Sequence, residues 1–428
     1  MHYVGLDVHA RQSSLEMLDE HGKTVKRMTI KGPWPKLIEA VERLPQRPLS
    51  ICYEASCGYG YLHDRFRRIA ERVAVGHPGQ MRLIFKSKKK NDRVDAGKIA
   101  RLLYLDLVPQ VHVPEVNVRQ WRRLIEFRQK LVGRRALAKN QVRAILRSLA
   151  IATPRGLWSK KGQRWLAEVA LDEAPALERD LLIEEINQLT QKIDRVEKEL
   201  AKIADRHPAV TLLRTIPGVG IRTAEAFVAY VDDPARFARS IQFGSYFGLV
   251  PCQDSSAGVN RLGHITKDGP ATVRKLLCEA AWQAIRHSPT IRRWFERISG
   301  NHPDGRKIAV VAVARKLAVV MGAMLRGGEV WQENHQPLKN AELKDGEPNT
   351  REAKQKEFIA LPAAGMSRGK CDGQTKQDRA VRAARSHAVW QTDRRSGRTP
   401  ALAYPPGGDR NGTPDAGSPG RCRRQQKR

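Results

Sequence analysis

Acidic charge and cysteine are what this chain has least of for its length. Against 77 lysines and arginines stand only 45 aspartates and glutamates, a formal net charge of +32, and such an imbalance points to a polyanionic partner. The six cysteines, at positions 52, 57, 252, 278, 371 and 422, form no CxxC pair and stand at no zinc-like spacing from a histidine. That excludes a zinc module and a disulfide scaffold, and it predicts reduced, mostly buried thiols in a cytoplasmic protein. No apolar run is long and unbroken: the longest, residues 308–325, is interrupted by Arg315 and Lys316, so it is expected to be a core helix and no membrane partner is expected. The N-terminus leads straight into a strand with no signal-peptide pattern.

What is present suffices for folded domains. The chain has 428 residues, of which 41% are hydrophobic, enough for two or three domains with substantial cores. The basic excess is not confined to one end: residues 346–428 carry net +10, leaving +22 on the first 345.

Against this background four acids stand out. Asp7 lies within the β-prone run Tyr3-Val4-Gly5-Leu6-Asp7-Val8, and Glu54 closes a second such run, Leu49-Ser50-Ile51-Cys52-Tyr53-Glu54. A carboxylate in a buried strand needs a cation or a donor facing it, and the carboxyl end of a strand is where open α/β sheets place ligands. Asp92 and Asp95 are three apart and share one face of a helix starting near Asn91. Singly, each acid also suits a plainer role: a hydrogen-bond acceptor, an arginine partner, a helix cap. Their order is more telling. A strand with Asp7, a hairpin through Asp19 to Gly22 into residues 24–30, a helix over 35–44, the strand ending in Glu54, a helix, a strand over 73–75 and a helix bearing two acids form the sequence of an α/β RNase H-like (RuvC-like) domain. A site of that kind uses two Mg²⁺ ions held by carboxylates for phosphoryl transfer.

Residues 118–150 are expected to be one long helix or a helix pair, dense in cations that include Arg122, Arg123, Arg134, Arg135 and Arg143. Leu124, Phe127, Leu131 and Ile145 give it a core-facing side, and few acids are interleaved, so phosphate contact is expected. Leu182, Ile186, Leu189, Ile193, Val196, Leu200 and Ile203 alternate spacings of four and three, the pattern of a coiled-coil seam that suits a dimerising arm or, alternatively, an intramolecular helical hairpin. Ile216-Pro217-Gly218-Val219-Gly220 before a helix over 222–230 resembles a helix-hairpin-helix turn, in which Gly218 and Gly220 would let backbone amides approach a phosphate. Residues 251–258 carry Ser255 and Ser256, which by residue type alone read as turn or cap residues. Lys267, Arg274, Lys275, Arg315 and Lys316 are further candidates for backbone contact in a mainly helical C-terminal region. Beyond about residue 344 hydrophobic periodicity disappears, and a disordered basic tail is expected.

Residues 1 to about 335 resemble the DEDD transposases of bacterial insertion sequences, relatives of the Piv DNA invertase and known as bridge-RNA-guided recombinases. The resemblance rests on Val4-Gly5-Leu6-Asp7-Val8-His9, Tyr53-Glu54-Ala55, Lys90-Asn91-Asp92-Arg93-Val94-Asp95-Ala96, Ile216-Pro217-Gly218-Val219-Gly220, Ser255-Ser256-Ala257-Gly258 and Ile265-Thr266-Lys267-Asp268-Gly269. It implies a catalytic set of Asp7, Glu54, Asp92, Asp95 and Ser256, with Mg²⁺ on the four acids and Ser256 as the nucleophile that forms a phosphoserine link to DNA. Ser-Ser-Ala-Gly stands here where Ser-Ser-Gly-Gly is usual, so Ser255 stays open as the alternative. It further implies DNA and a structured guide RNA as partners, a dimer or tetramer joined through the coiled coil, and a cytoplasmic, nucleoid-associated location. The expected organisation is a RuvC-like domain over 1–115, basic helices and a coiled-coil linker over 116–206, a C-terminal transposase domain over 207–335 and the tail over 336–428. Two other readings are a RuvC-like metal-dependent nuclease or junction resolvase without a covalent intermediate, and a noncatalytic nucleic-acid-binding protein.

Overall fold

A computed structural model of the chain describes residues 1–84, 92–256, 259–300 and 305–333, with the backbone alone at 92–94, 255, 256, 259 and 260. All of these belong to one compact unit, Met1–Lys339. The tail over 336–428, together with Lys90, Asn91, Ala257 and Gly258, lies outside the described residues.

The N-terminal part is built on a five-stranded sheet of order β3-β2-β1-β4-β5, with β1 (His2–Val8), β2 (Gln12–Leu18), β3 (Thr24–Lys31), β4 (Leu49–Glu54) and β5 (Arg72–Gly76). The first three strands form an antiparallel meander, and β1, β4 and β5 run parallel. The β2–β3 turn is set locally: the Asp19 carboxylate accepts hydrogen bonds from the amides of His21 and Lys23 at 2.9 and 2.8 Å, and Gly22 takes a positive φ of 75°. Alternation along the strands sorts side chains between two covered faces. Val4, Leu6, Leu15, Met17, Ile51 and Tyr53 face one way and bury against helices α1 (Trp34–Glu42) and α2 (Tyr59–Phe66) through Leu37, Ile38, Val41, Leu62 and Phe66. After the short helix α3 (Pro78–Ile84), helix α4 (Asp92–Tyr104) covers the other face, where Ile99, Leu102 and Leu103 pack with Cys52 and Ala74.

Two long helices follow, α5 (Val116–Ser148) and α7 (Glu173–Ala204), joined through α6 (Lys160–Glu168), whose first turn is capped by the Ser159 hydroxyl. They run antiparallel. Leu146, Val142 and Ala138 pack with Ile186, Leu131 packs with Leu189 and Ile193, and Trp121 and Ile125 share a core with Leu200 and Ala204. The heptad seam read as a dimerising arm is therefore covered by α5 of the same chain, the helical-hairpin alternative. The apolar positions of α5 face a stripe of matching period within the same compact unit, and α7 has only one such stripe to bury.

The remaining described residues are mainly helical: α8 (Pro208–Leu213), α9 (Ile221–Val231), α10 (Gln242–Tyr246), α11 (Ala271–His287), α12 (Pro289–Ser299) and α13 (Gly305–Gly327), with a separate two-stranded hairpin of β6 (Pro251–Ser256) and β7 (Val259–Ile265). Phe227 packs on Phe243 and Phe247 with ring centroids 6.0 and 5.1 Å apart, at the middle of a core that includes Val313, Leu317 and Met321. By length and composition α13 is apolar enough to cross a membrane, and half of that window is buried inside the fold against neighbouring helices. Of the four described cysteines only Cys52 is buried, while Cys57 and Cys252 are exposed; the expectation of mostly buried thiols fails because both exposed ones lie outside the packed faces of sheet and helices.

Candidate functional site

The register of the parallel pair brings two of the predicted acids together. Leu6 pairs with Tyr53, and each is followed by an acid, so Asp7 and Glu54 are neighbours at the carboxyl ends of β1 and β4. Tyr3, Gly5 and Asp7 share one face of β1, and that face is the one covered by α4. Two contacts fix the direction of α4. Tyr104, its last residue, meets Tyr3 edge-on with ring centroids 5.3 Å apart, and a Cβ on Gly5 would stand 2.3 Å from the carbonyl oxygen of Ala96 and from the amide nitrogen of Ala100. The helix thus runs antiparallel to β1. Moving from Gly5 to Asp7 advances about 7 Å along the strand, the length of four or five helical residues, which brings the first turn of α4, with Asp92 and Asp95, to the level of Asp7. Glycine at position 5 is what permits this approach.

Two of the carboxylates have basic side chains beside them. Asp7, with a side chain 16% exposed, lies 3.4 Å from His9 Nε2, and Asp95 Oδ1 accepts from Lys98 Nζ at 2.9 Å. Among the described residues no three aspartate, glutamate, histidine or cysteine side chains converge on one point; the Asp92 side chain lies outside them. In chemistry the set suits a hard divalent cation, since all four donors are carboxylate oxygens. The sequence reading missed a fifth acid on this face. Glu16, paired with Gly5 across the ladder, has a side chain only 4% exposed and is held by Arg27 Nε at 2.9 Å and by Thr24 Oγ1 at 2.9 Å. It borders a cleft of about 730 Å³ shared with Ser14, Lys98 and Arg101. The signal was a charged residue inside an alternating strand.

The serines lie on a strand rather than in a loop. Ser255 pairs with Asn260 and Ser256 with Val259 at the end of the β6–β7 hairpin, because the run 251–256 finds a partner strand immediately after it. The hairpin forms its own sheet, separate from the one carrying Asp7 and Glu54.

The sequence is similar to known proteins across both regions. Residues 4–151 match the family description of the DEDD transposase of IS110 elements, and residues 210–296 match the one described as Transposase IS116/IS110/IS902 family. The putative transposase y4qE of Sinorhizobium fredii is 30% identical over 271 residues, 63% of this chain and 67% of that protein. The chain belongs to the IS110 family of transposases. It is 28% identical over 337 residues to the transposase for insertion sequence element IS1111A of Coxiella burnetii, covering 77% of this chain and 91% of that protein. It is also 28% identical over 341 residues to the transposase for insertion sequence element IS1328 of Yersinia enterocolitica, covering 77% and 98%.

Membership of the IS110 transposases makes the chain a DNA-cutting enzyme, and the cations named as its nucleic-acid contacts divide into two groups. Several are engaged inside the fold. Arg122 donates through Nε to Ala229 O at 2.7 Å and through Nη2 to Tyr230 O at 3.1 Å, and its burial lowers its pKa. Arg274 braces the carbonyls of Phe247 and Asp268 at 3.0 and 2.7 Å. Arg135 donates to Thr190 Oγ1 at 3.2 Å, and Arg143 to Asn140 Oδ1 at 3.1 Å while lying over the Trp158 ring. Lys316 Nζ sits 3.7 Å above the Trp294 ring, and its burial lowers its pKa. These side chains hold helices together, because a long cationic stem packs well beside an aromatic ring or a helix end. Arg123, Arg134 and Lys267 are exposed.

The two glycines of the Pro-Gly turn divide in the same way. A Cβ on Gly218 would lie 2.3 Å from Ala284 N, so glycine there is required by close packing on α11, whereas Gly220, at the start of α9, has nothing within 4 Å.

Proposed function

We propose that this IS110-family chain cuts and rejoins DNA through a composite site: Asp7, Glu54, Asp92 and Asp95 on an RNase H-like sheet, and Ser256 on the β6–β7 hairpin. The observation carrying this reading is the carboxylate edge, where β1, β4 and the first turn of α4 bring four acids to one level. The sheet order, with a meander joined to a parallel pair, supports the RNase H-like assignment. These acids would hold Mg²⁺, which would supply positive charge at the scissile phosphate. Ser256 Oγ forms a bond to phosphorus as the bond from phosphorus to the leaving deoxyribose oxygen breaks; the serine proton passes to solvent and the leaving oxygen takes one up. The phosphoserine ester keeps the phosphodiester energy available for rejoining to a second strand.

A structured RNA as the guide, and assembly as a dimer or tetramer in the cytoplasm, are part of the same reading. The excess of cations outside the carboxylate edge supports a second polyanion. Because α5 covers the heptad seam, contacts between copies are assigned to other surfaces.

The test is to incubate the protein with Mg²⁺, labelled element-end DNA and RNA from the flanking noncoding region, then look for label on protein after denaturing electrophoresis. Wild type and Ser255→Ala should carry label and Ser256→Ala should not, although it still binds DNA. An adduct that persists in Ser256→Ala sinks the assignment. The competitor is a carboxylate nuclease, which metal-dependent cleavage without any adduct would identify.

A further inference from the structure

Alongside the buried α5–α7 contact runs a groove that none of the preceding roles uses. Two adjoining clefts, of about 420 and 630 Å³, share Leu124 and Phe127. Phe127 is 48% exposed, unusual for a ring beside a well-packed helix pair, and Leu124 and Val196 form the apolar floor next to it. Around the ring stand Arg123 and Lys130 from α5 and Lys192, Arg195 and Lys198 from α7. All five are exposed, and none takes part in an ion pair among the described residues. The acids that line the two clefts are already engaged: Glu126 accepts from Tyr230 Oη at 2.6 Å and from Thr272 Oγ1 at 2.9 Å, and Glu199 holds Lys202 at 2.7 Å. The groove therefore combines an open aromatic face with an excess of positive charge.

We propose that this groove binds single-stranded DNA, with an unpaired base stacked on Phe127 and the flanking phosphates on the five cations. The inference rests on the reading of the chain as a DNA recombinase, in which strands must part before they are exchanged. Stacking on an aromatic ring with cations along the backbone is the general chemistry of single-strand recognition. A duplex keeps its bases stacked on one another and offers phosphates only, so it leaves Phe127 idle. A second copy of this chain is a poor occupant, because a two-fold contact would set the same five cations against themselves. The place is also apt: through Glu126 and Thr272 this stretch of α5 is tied to the start of α11, the helix that follows the serine hairpin.

The test is fluorescence anisotropy with a labelled oligodeoxynucleotide of about 16 nucleotides, its duplex form and the RNA of the same sequence, on full-length wild type, Phe127→Ala, Phe127→Trp and Arg195→Gln/Lys192→Gln. Phe127→Ala should weaken single-strand binding roughly five- to a hundredfold and leave duplex binding unchanged, while Phe127→Trp restores it. The double glutamine variant should flatten the single-strand salt dependence by about 0.7 in slope per lost contact. Equal affinity of wild type and Phe127→Ala, equal loss for duplex and single strand, or a Phe127-dependent preference for the RNA overturns the proposal. So does a Phe127→Ala protein that sediments as a smaller species without oligonucleotide, since a second copy would then cover the groove. If the wild type binds no DNA of any form, the recombinase reading itself has failed; if only the Phe127 dependence is missing, that reading stands and the groove assignment falls.

Discussion

Arg122 and Ala229 are joined by a 2.7 Å hydrogen bond from the guanidinium Nε to the backbone carbonyl in the last turn of α9, while the next residue, Arg123, is exposed and lines the groove. Adjacent arginines on one helix thus have different work. Arg122→Ala takes this partner from Ala229 O, while Tyr230 O keeps the Tyr246 hydroxyl at 3.0 Å, and should destabilise the fold by about 1–3 kcal/mol, seen as a lower denaturant midpoint. Arg123→Ala should stay within about 0.5 kcal/mol of wild type and instead reduce the salt dependence of single-strand binding by about 0.7 in slope. If both variants change only DNA affinity, the structural role of Arg122 is wrong.

Gly5→Ala tests the seating of α4. The new Cβ meets backbone at 2.3 Å, which cannot be relieved by rotating a side chain, so helix and sheet must separate. A cost of about 1–3 kcal/mol is expected for such overpacking. Because the displaced helix carries Asp92 and Asp95, cleavage should fall much further than DNA affinity when both are measured well below the melting temperature. Gly220→Ala is the control: φ is −79° and no atom lies within 4 Å, so stability should hardly move.

These residues show why part of the molecule was legible in the sequence and part was not. Asp7 lies within one short β-prone run and Glu54 closes another, and that information is local; the parallel pairing that places them side by side joins residues far apart in the chain. The basic helical stretch over 118–150 and the seam from Leu182 to Ile203 were equally plain from their apolar period, though not that the first is a single helix or that the second begins at Glu173. Which partner a seam chooses is not local, and α7 found α5 rather than another chain. The roles of the arginines were hidden for the same reason: Arg122, Arg274 and Arg123 differ only in whether a carbonyl from a distant element stands nearby. Gly218 and Gly220 look alike in the turn, and only the arrival of Ala284 separates them.

Glu225 predicts a pH dependence. Its residue is 1% exposed on α9, and burial pushes its pKa up to about 7 against the opposing pull of Arg222, whose Nη1 lies 3.0 Å away. The folded value lies above the unfolded one, so the native state holds the extra proton between roughly pH 4.5 and 7. Stability from this group is therefore fully present below about pH 4.5 and is lost as pH rises towards 7, flattening above that. Glu225→Gln should remove this component, so the difference in melting temperature between wild type and variant should change steadily across that window and level off beyond it. A constant difference from pH 4.5 to 8 would show that Glu225 does not titrate there.

Metal binding can be read without catalysis. If the four acids form the proposed metal set, their like charges repel each other, and a divalent cation binding only the folded state stabilises it by about 2.7 kcal/mol at a hundredfold excess over its Kd. Mg²⁺ should therefore raise the melting temperature of the wild type, and Asp7→Asn should lose most of that rise. In chelator the order should invert or close, because removing one of four like charges relieves repulsion in the metal-free protein. The two halves constrain each other: a variant that is merely misfolded would melt lower under both conditions, whereas one that has lost a ligand melts lower only when Mg²⁺ is present. An Asp7→Asn protein with an undiminished Mg²⁺ response would remove Asp7 from the metal set and leave its carboxylate as the partner of His9.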